Sequence, residues 1–354
     1  MNRWECHSHT HYSNIKGLDC INKPEDLIKR AVDIGLKGIA ITDHECLAGA
    51  IKINKIAKEL KETNPDFKIA IGNEIYLTDT REKNQKYWHF ILIAKDEIGY
   101  KQLKRLSSRA WMLSYTDRGM ERVPTLKSEL EEVVSQEPGH LIATTACIGG
   151  ELSANVLIME KARAAGDVAT AQSAYQNIVN FIVYLDHLFG DDWYIECAPG
   201  ASRDQIIVNK KLVEIARVRN KKMVIGSDSH YLTKEDRYVH KSYLNSQNGE
   251  REVDAFYEFS YLQTEDEIIE NLTPSIVDSY EWMCDNSMDI YNKIEFYDLA
   301  HPQVIPRVEV KNYDKCTRKA DFAENFPVLT QMYQSDNQYE RYWVNQCVDK
   351  LEEL

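Results

Sequence analysis

Residues 4–13 read WECHSHTHYS and place a histidine at every second position, His7, His9 and His11, directly after a short apolar run. Alternate side chains of a strand share one face, so the spacing predicts that these imidazoles point the same way. Histidine is the commonest metal ligand in proteins. The triplet by itself fits a polar edge strand equally well, and His11 also fits a flanking polar group. Other parts of the sequence are therefore needed to distinguish a metal site from an edge strand.

Size and composition indicate one large α/β domain with a smaller appendage, because the chain has 354 residues and 43% of them are hydrophobic. No apolar run is long enough to span a membrane, and the N-terminus lacks a basic flank followed by an apolar stretch. We therefore expect neither a transmembrane helix nor a signal peptide. The eight cysteines are scattered without a CxxC pair, which favours a reducing cytoplasmic location over a disulfide framework.

The net charge of −13 argues against a protein that coats duplex DNA through a broad basic face. An acidic chain can still act on phosphates if bound cations supply the positive charge. Four basic side chains, Arg109, Arg118, Arg122 and Lys127, lie in one segment before the fifth predicted strand. They are candidates for binding substrate phosphates, with a solvated loop as the alternative.

Short apolar runs alternate with helical patterns along the first two thirds of the chain. Apolar residues at helical spacing predict amphipathic helices between the runs. Repeated strand–helix alternation predicts a parallel barrel of the TIM type, with an open doubly wound sheet as the structural alternative. The predicted strands cover residues 4–6, 38–42, 68–75, 88–94, 141–145, 193–197 and 223–227.

One connection departs from the parallel pattern. Residues 78–86, TDTREKNQK, are polar and too few for a crossover helix, so they predict an antiparallel hairpin between the third and fourth strands. His89 opens the fourth strand, and the hairpin would bring it beside Glu74 near the end of the third. From about residue 241 the sequence becomes helical and acidic, with an irregular linker predicted from His301. We therefore divide the chain into residues 1–240 and a mainly helical extension, 241–354.

Side chains able to bind metal lie at nearly every predicted strand end, and the active sites of parallel barrels lie at the carboxyl ends of their strands. So many ionisable groups in one barrel mouth would repel one another and lose hydration unless divalent cations compensate them. Each residue alone has a structural explanation, such as a turn, a surface carboxylate or a small buried thiol. We expect Asp43 to orient a neighbour rather than bind metal, and the role of Glu196 is open. The candidates are His7, His9, Asp19, His44, Glu74, His89, Cys147, Asp228 and His230.

The motifs HSHTHYS, LDC, ITDH, GNEI, WHFILIAKDEIGYKQL, TTACIGGEL, WYIEC and GSDSHYL resemble the successive motifs of the PHP (polymerase and histidinol phosphatase) superfamily. They are most similar to the N-terminal PHP domain of bacterial DNA polymerase III alpha subunits. The resemblance covers about residues 1–240, and residues 241–354 more loosely resemble the segment that follows PHP in those polymerases. It implies a distorted (β/α)7 barrel with a trinuclear metal site. The polymerase palm has no room here, so we expect a stand-alone PHP protein or the front piece of a polymerase.

Carried over by position, the resemblance implies three ligand groups, two of which share Glu74. All nine positions hold a competent ligand, whereas some polymerase PHP domains have lost several. His11 stands where the family often has an acidic residue, and Cys20 replaces a usual glycine, but neither change removes a ligand. The groups are His7, His9, Glu74 and Asp228; Asp19, His44 and His230; and Glu74, His89 and Cys147.

The resulting expectation is a metal-dependent phosphoesterase with three divalent ions of zinc, manganese or iron, which suit mixed N, O and S ligation. Such cations lower the pKa of bound water and clamp phosphate oxygens. His44, His230 and Asp228 are the expected catalytic residues. The resemblance points to a 3′–5′ exonuclease acting on single-stranded DNA ends, with a polymerase as a further partner.

Three alternatives remain open. One is a small-molecule phosphomonoesterase of the histidinol phosphatase kind, and another is a non-catalytic, metal-stabilised polymerase module. The third is an amidohydrolase-type barrel, which also uses His-x-His after its first strand. That family often places a bridging lysine at the fourth strand, where this chain has His89, so we rank it last.

Overall fold

The computed structural model describes residues 1–15, 17–246, 257–305 and 326–353. Two compact units form, Met1–Ala300 and His301–Leu354. The described residues between 241 and 300 therefore pack with the barrel, and the functional boundary at residue 240 stays a prediction. Most of the predicted linker that begins at His301 lies outside the described residues. In the part of the chain that is described, we find no helix with the length and apolar character to cross a membrane.

The first unit is built on a seven-stranded sheet that nearly closes into a barrel, which confirms the predicted α/β barrel. Its order is β1-β2-β3-β4-β8-β9-β10, and β4 alone in this order runs antiparallel to its neighbours β3 and β8. A parallel bridge between Ser8 and Ser229 brings the chain after β1 beside the chain after β10. The strands are β1 (Trp4–Glu5), β2 (Gly38–Ile41), β3 (Lys68–Thr78), β4 (Trp88–Ala94), β5 (Tyr115–Asp117), β6 (Met120–Arg122), β7 (Pro124–Leu126), β8 (Leu141–Thr144), β9 (Trp193–Cys197) and β10 (Met223–Ile225).

The predicted hairpin between β3 and β4 is confirmed. In its register Tyr76 lies opposite His89, and Glu74 lies opposite Ile91. Alternate residues of a strand share a face, so Glu74, Tyr76 and His89 all project from the same side of the sheet. The hairpin thus places His89 on the rim that carries Glu74.

Helices cover the outer face of the sheet, and their number exceeds the prediction. The predicted helical stretch 151–188 is two helices, because Gly166 adopts a left-handed φ of 73° and Asp167 then caps the next helix by accepting from the Thr170 amide. Sequence patterns missed the β5–β6 hairpin, β7 and the helix after it. The α-helices of this unit within the described residues are Pro24–Asp33, Ala50–Thr63, Glu97–Met112, Lys127–Gln136, Glu151–Ala165, Val168–Phe189, Arg203–Val218, Arg237–Leu244, Glu265–Leu272 and Tyr280–Lys293.

The second unit contains two described helices, Pro327–Tyr333 and Gln338–Glu353. Both fall in the region that the sequence predicts to be helical.

The barrel interior changes from apolar at one end to polar at the other. Ala70, on the inner face of β3, belongs to an apolar cluster that also holds Trp4 and Ile290. Glu74 lies on that same face of β3, four residues further on. Ile290 belongs to the helix Tyr280–Lys293, in which the Ser287 hydroxyl accepts a hydrogen bond from the Trp4 amide at 3.0 Å. This helix closes the amino end of the barrel and leaves the carboxyl end for polar side chains.

Gly38 offers a test of how tightly β1, β2 and β3 pack. A Cβ atom at Gly38 would lie 2.0 Å from the Lys68 carbonyl oxygen and 2.6 Å from the Trp4 ring. We expect Gly38→Ala to lower the free energy of unfolding by about 1–3 kcal/mol, because neither neighbour can yield without moving a strand. Urea denaturation checks this. In the control Gly200→Ala the new methyl group meets its nearest neighbour at 3.4 Å, and equal midpoints for the two variants would contradict the packing.

Candidate metal centre

All nine predicted ligands converge at the carboxyl end of the barrel. His7 and His9 follow β1, His44 follows β2, and Asp228 and His230 follow β10. Glu74 and His89 lie within β3 and β4, Cys147 follows β8, and Asp19 comes from the loop after β1. Three groups hold their donor atoms within 4.8 Å of one another: His7, His9, Glu74 and Asp228; His9, His44 and His230; and Glu74, His89 and Cys147.

Glu74 belongs to two of these groups and also lies beside His44 of the remaining one. Its Oε2 atom lies 3.4 Å from His7 Nε2, 3.1 Å from His9 Nε2 and 2.9 Å from His44 Nδ1, and its Oε1 atom lies 2.5 Å from His89 Nδ1. The carboxylate is fully buried, yet neither oxygen accepts a hydrogen bond of good geometry from the described residues. Such an arrangement suits coordination better than hydrogen bonding.

Asp228 completes the deepest group. Its Oδ1 atom lies 3.2 Å from both His7 Nε2 and His9 Nε2. The residue has a left-handed φ of 46°, which is uncommon for any residue other than glycine and is typical of strained functional positions. Two residues earlier, a Cβ atom at Gly226 would lie 2.2 Å from Glu196 Oε1. The turn after β10 therefore depends on glycine to admit the Glu196 carboxylate.

Asp19 links His44 and His230. Its Oδ2 atom lies 2.9 Å from His44 Nε2 and 3.3 Å from His230 Nε2. Tyr257 donates its hydroxyl to the other carboxylate oxygen, and the His240 ring lies 2.6 Å from the Asp19 carbonyl oxygen. Sequence reasoning gave His240 no role and did not single out Tyr257, since neither stands at a strand end.

His7 and His230 each use one ring nitrogen for a hydrogen bond to a neighbouring oxygen, which leaves the other nitrogen facing the cluster. His7 Nδ1 lies 2.6 Å from Glu196 Oε1, and Thr144 donates its hydroxyl to the same carboxylate. His230 Nδ1 lies 2.8 Å from the Asp228 carbonyl oxygen. Metal-binding histidines in proteins are held in this way, and the hydrogen bond fixes their tautomer. Glu196 is therefore placed to orient His7.

Asp43 acts on the cluster through Ser13. Its carboxylate accepts from the Thr10 amide at 2.6 Å and from the Ser13 hydroxyl at 2.8 Å, and Ser13 Oγ lies 3.2 Å from His9 Nδ1. This geometry agrees with the expectation that Asp43 orients a neighbour.

The mixture of acids and imidazoles shifts the pKa of most members. Burial raises the pKa of Glu74, but the neighbouring imidazoles, chiefly His89, outweigh it and hold that pKa well below the usual range. Burial lowers the pKa of His44, but Glu74 and Asp19 outweigh it and raise the pKa to about 10. Burial raises the pKa of the Cys147 thiol well above its ordinary value. In the absence of cations, His44 and Cys147 therefore hold their protons at neutral pH.

His11 does not join the centre. The strand ends at Glu5, and His11 begins a short 3₁₀ turn, where its ring stacks on Tyr12 and is exposed. The alternation that brings His7 and His9 together therefore stops before His11.

A cavity of about 210 Å³, which we call the mouth cavity, opens onto the centre and is lined by Asp19, His44, His89, Asp228 and His230 among others. Of the four basic residues singled out above, Arg122 alone lines it. Arg109 pairs with Glu132 at 2.7 Å, Lys127 pairs with Glu151 at 2.9 Å, and Arg118 donates to Asn84.

Comparison with known families agrees with these features. The family model named PHP domain matches residues 5–199, more than half of the chain. The chain belongs to the PHP domain family. This membership confirms the resemblance seen in the sequence motifs.

Known relatives of this PHP domain include polymerases. It is 37% identical over 360 residues to the DNA-directed DNA polymerase of Bacillus phage SPbeta, covering 98% of this chain and 28% of that protein. It is 33% identical over 237 residues to DNA polymerase III subunit alpha of Borreliella burgdorferi, covering 65% and 18%. The chain thus spans less than a third of either relative.

Among solved structures, a Bifidobacterium adolescentis protein described as a candidate metal-dependent phosphoesterase is a distant match. The TM-score is 0.37 at 16% identity, covering 77% of this chain and 96% of that one.

The raised pKa of His44 predicts how the metal-stripped protein responds to pH. A pKa of about 10 in the folded state, against an ordinary 6.5, contributes stability that is fully present below pH 6.5 and is lost as pH rises through 10. We therefore expect His44→Gln to flatten the fall in melting temperature between pH 7 and pH 10, measured by scanning fluorimetry after chelation. The control is the exposed His187→Gln. Identical slopes for wild type and His44→Gln would contradict the assignment.

Proposed function

We propose that this PHP domain is a metal-dependent phosphoesterase that removes nucleotides from the 3′ ends of single-stranded DNA. The observation that carries the proposal is the convergence of nine ligand-type side chains around the shared, buried carboxylate of Glu74. Support for DNA as the substrate comes from the polymerase relatives. Phosphoester chemistry is supported by the type and grouping of the ligands.

The residues fit a group of three divalent cations. We assign His7, His9, Glu74 and Asp228 to the first ion, Asp19, His44 and His230 to the second, and Glu74, His89 and Cys147 to the third. Both Glu74 oxygens and His44 Nδ1 are buried without hydrogen bonds in the described structure, as expected of atoms reserved for coordination. Imidazole, carboxylate and one thiolate suit zinc, manganese or iron better than magnesium or calcium.

When bound, the cations would polarise the phosphate and lower the pKa of a coordinated water. The protein's own groups set the geometry. Glu196 holds His7, and Ser13 with Asp43 holds His9, so the donor nitrogens cannot turn away. We assign catalytic roles to His44, His230 and Asp228 because all three line the mouth cavity, where a phosphoester would enter. As ligands of the second ion, the two imidazoles would hold that ion beside the reacting oxygens.

A second candidate is a phosphomonoesterase for small molecules. The mouth cavity measures only about 210 Å³, which suits a small ester as well as the end of a DNA strand. The two candidates share the same chemistry and differ only in the group attached to the phosphate.

We propose residues 1–240 as the catalytic domain and residues 241–354 as an extension of the kind that follows PHP in the polymerases. Tyr257, from the extension, supports Asp19 and lines the mouth cavity. The first part of the extension therefore contributes to the site.

Asp228→Asn tests the activity. We expect the rate on a 5′-labelled single-stranded oligonucleotide with manganese to fall at least about 100-fold, since the amide removes a negative ligand from cations that supply several kcal/mol. Chelation should abolish wild-type activity, and added Mn²⁺ should restore it. The control Asp33→Asn changes an exposed aspartate paired with Lys29. Undiminished cleavage by Asp228→Asn would identify a contaminating nuclease, and turnover of monoesters alone would favour the second candidate.

Glu74→Gln tests the shared ligand. We expect metal affinity to fall at least about tenfold, because Glu74 is assigned to two of the three ions. Element analysis of purified protein and titration with Zn²⁺ measure this. Glu214→Gln, at an exposed glutamate, is the matched control. Equal metal content in the two variants would refute the shared role of Glu74.

A further inference from the structure

A second cavity lies on the other side of the candidate centre. It measures about 200 Å³, and its lining includes Cys147, Asp228 and Phe259. Asp228 lines both cavities, so each of them reaches the candidate centre. We call this second space the Phe259 cavity.

The Phe259 cavity has little charge and one aromatic wall. Among the described residues, its lining contains no lysine, arginine or histidine, and the carboxylate of Asp204 is paired with Lys161 at 2.7 Å. Gly200 brings the backbone against the ring, since a Cβ atom there would lie 3.4 Å from Phe259. Phe259 itself is partly exposed. This combination suits a flat, uncharged group better than a phosphate.

The mouth cavity has the opposite character. Arg122 is the one lysine or arginine among the described residues of its lining, and its buried Nε atom makes no hydrogen bond with the described residues. Its guanidinium lies over the Tyr87 ring, 5.1 Å from the ring centroid, and this contact holds it at the rim. The carboxylates of Asp19, Glu45, Glu121 and Asp228 also line this cavity, so Arg122 is the described group at the rim that can pair with a phosphate of the strand. The described lining of the Phe259 cavity offers no such cation.

We propose that the Phe259 cavity binds the terminal nucleoside of the DNA strand, with its base stacked on the Phe259 ring. The scissile phosphate then lies at the centre, and the next phosphate of the strand faces Arg122. This inference rests on the proposed function and specifies how the strand is oriented. A 3′-terminal nucleoside ends in a neutral hydroxyl, whereas a 5′ end that carries phosphate would place negative charge in the Phe259 cavity, beside Asp228.

The reaction balances with water as the only co-reactant. The water oxygen forms a bond to phosphorus, and the bond between phosphorus and the O3′ atom of the preceding nucleotide breaks. One water proton goes to that O3′ atom, which leaves a shortened strand with a 3′ hydroxyl. The other product is a nucleoside 5′-monophosphate, whose base leaves from the Phe259 cavity.

The test compares single-stranded oligonucleotides that end in an ordinary 3′ nucleoside or in a 3′ abasic tetrahydrofuran residue. With the full chain and Mn²⁺, we expect wild type to prefer the base-bearing end at least about tenfold in kcat/KM, because stacking on an aromatic ring strengthens binding of the base. Phe259→Ala and Phe259→Leu should reduce this preference to about twofold or less, whereas Phe259→Tyr should keep it. A 3′-phosphorylated end should be cleaved more slowly than a 3′-hydroxyl end. Circular dichroism confirms that each variant is folded.

A binding measurement separates this proposal from the proposed function. The probe is the 5′-monophosphate of 2-aminopurine deoxyribonucleoside, and we expect its fluorescence to be quenched by metal-loaded wild type and by Phe259→Tyr. Phe259→Leu should bind the probe at least about tenfold more weakly. Quenching that depends on Phe259 without any DNA cleavage would overturn the exonuclease and keep the nucleoside site. Cleavage with the same base preference in wild type and Phe259→Leu, or quenching equal in both, would overturn the nucleoside site.

Discussion

The arrangement at the mouth of the barrel depends on one buried carboxylate. Glu74 lies within 3.4 Å of ring nitrogens from four histidines, and it does so without solvent and without hydrogen bonds from the described residues. A carboxylate loses its hydration on burial, and that loss must be offset by positive charge nearby. Protonated imidazoles offset it in the absence of metal, and cations would offset it more completely. The need to offset the buried charge of Glu74 therefore helps to hold in position each segment that carries one of these histidines.

The barrel meets this requirement by having an apolar interior at one end and a polar interior at the other. Apolar side chains fill the interior near the strand starts, where the helix Tyr280–Lys293 closes the barrel. The antiparallel strand β4 reverses direction, so a residue near its start, His89, reaches the polar end. Behind the ligands lies a layer of supporting residues, among them Glu196, Ser13 and Asp43. Their hydrogen bonds determine which nitrogen of His7 and His9 faces inward.

The two cavities that share Asp228 differ in the charged residues of their described linings. The chain has a net charge of −13, and two of the candidate phosphate-binding residues, Arg109 and Lys127, are paired with Glu132 and Glu151. Arg122 differs because its guanidinium rests over a tyrosine ring and forms no ion pair with a described residue. The proposed recognition of a strand on one side and of a neutral group on the other rests on this asymmetry.

Sequence patterns predicted the seven strands of the barrel, the β3–β4 hairpin and the residues that converge at the barrel mouth, because short apolar runs and polar strand ends are local features of a chain. They did not predict the break at Gly166, which depends on one residue with a left-handed conformation within a continuous helical pattern. They also missed Tyr257 and the fixing of His7 by Glu196, since those contacts join segments far apart in sequence. The sequence by itself thus determined which side chains are available for metal chemistry and that they meet at one rim. Only the tertiary structure decided which nitrogen faces inward, which of the four candidate basic residues lines the mouth cavity and where the second cavity lies, because each depends on contacts between residues that the chain keeps far apart.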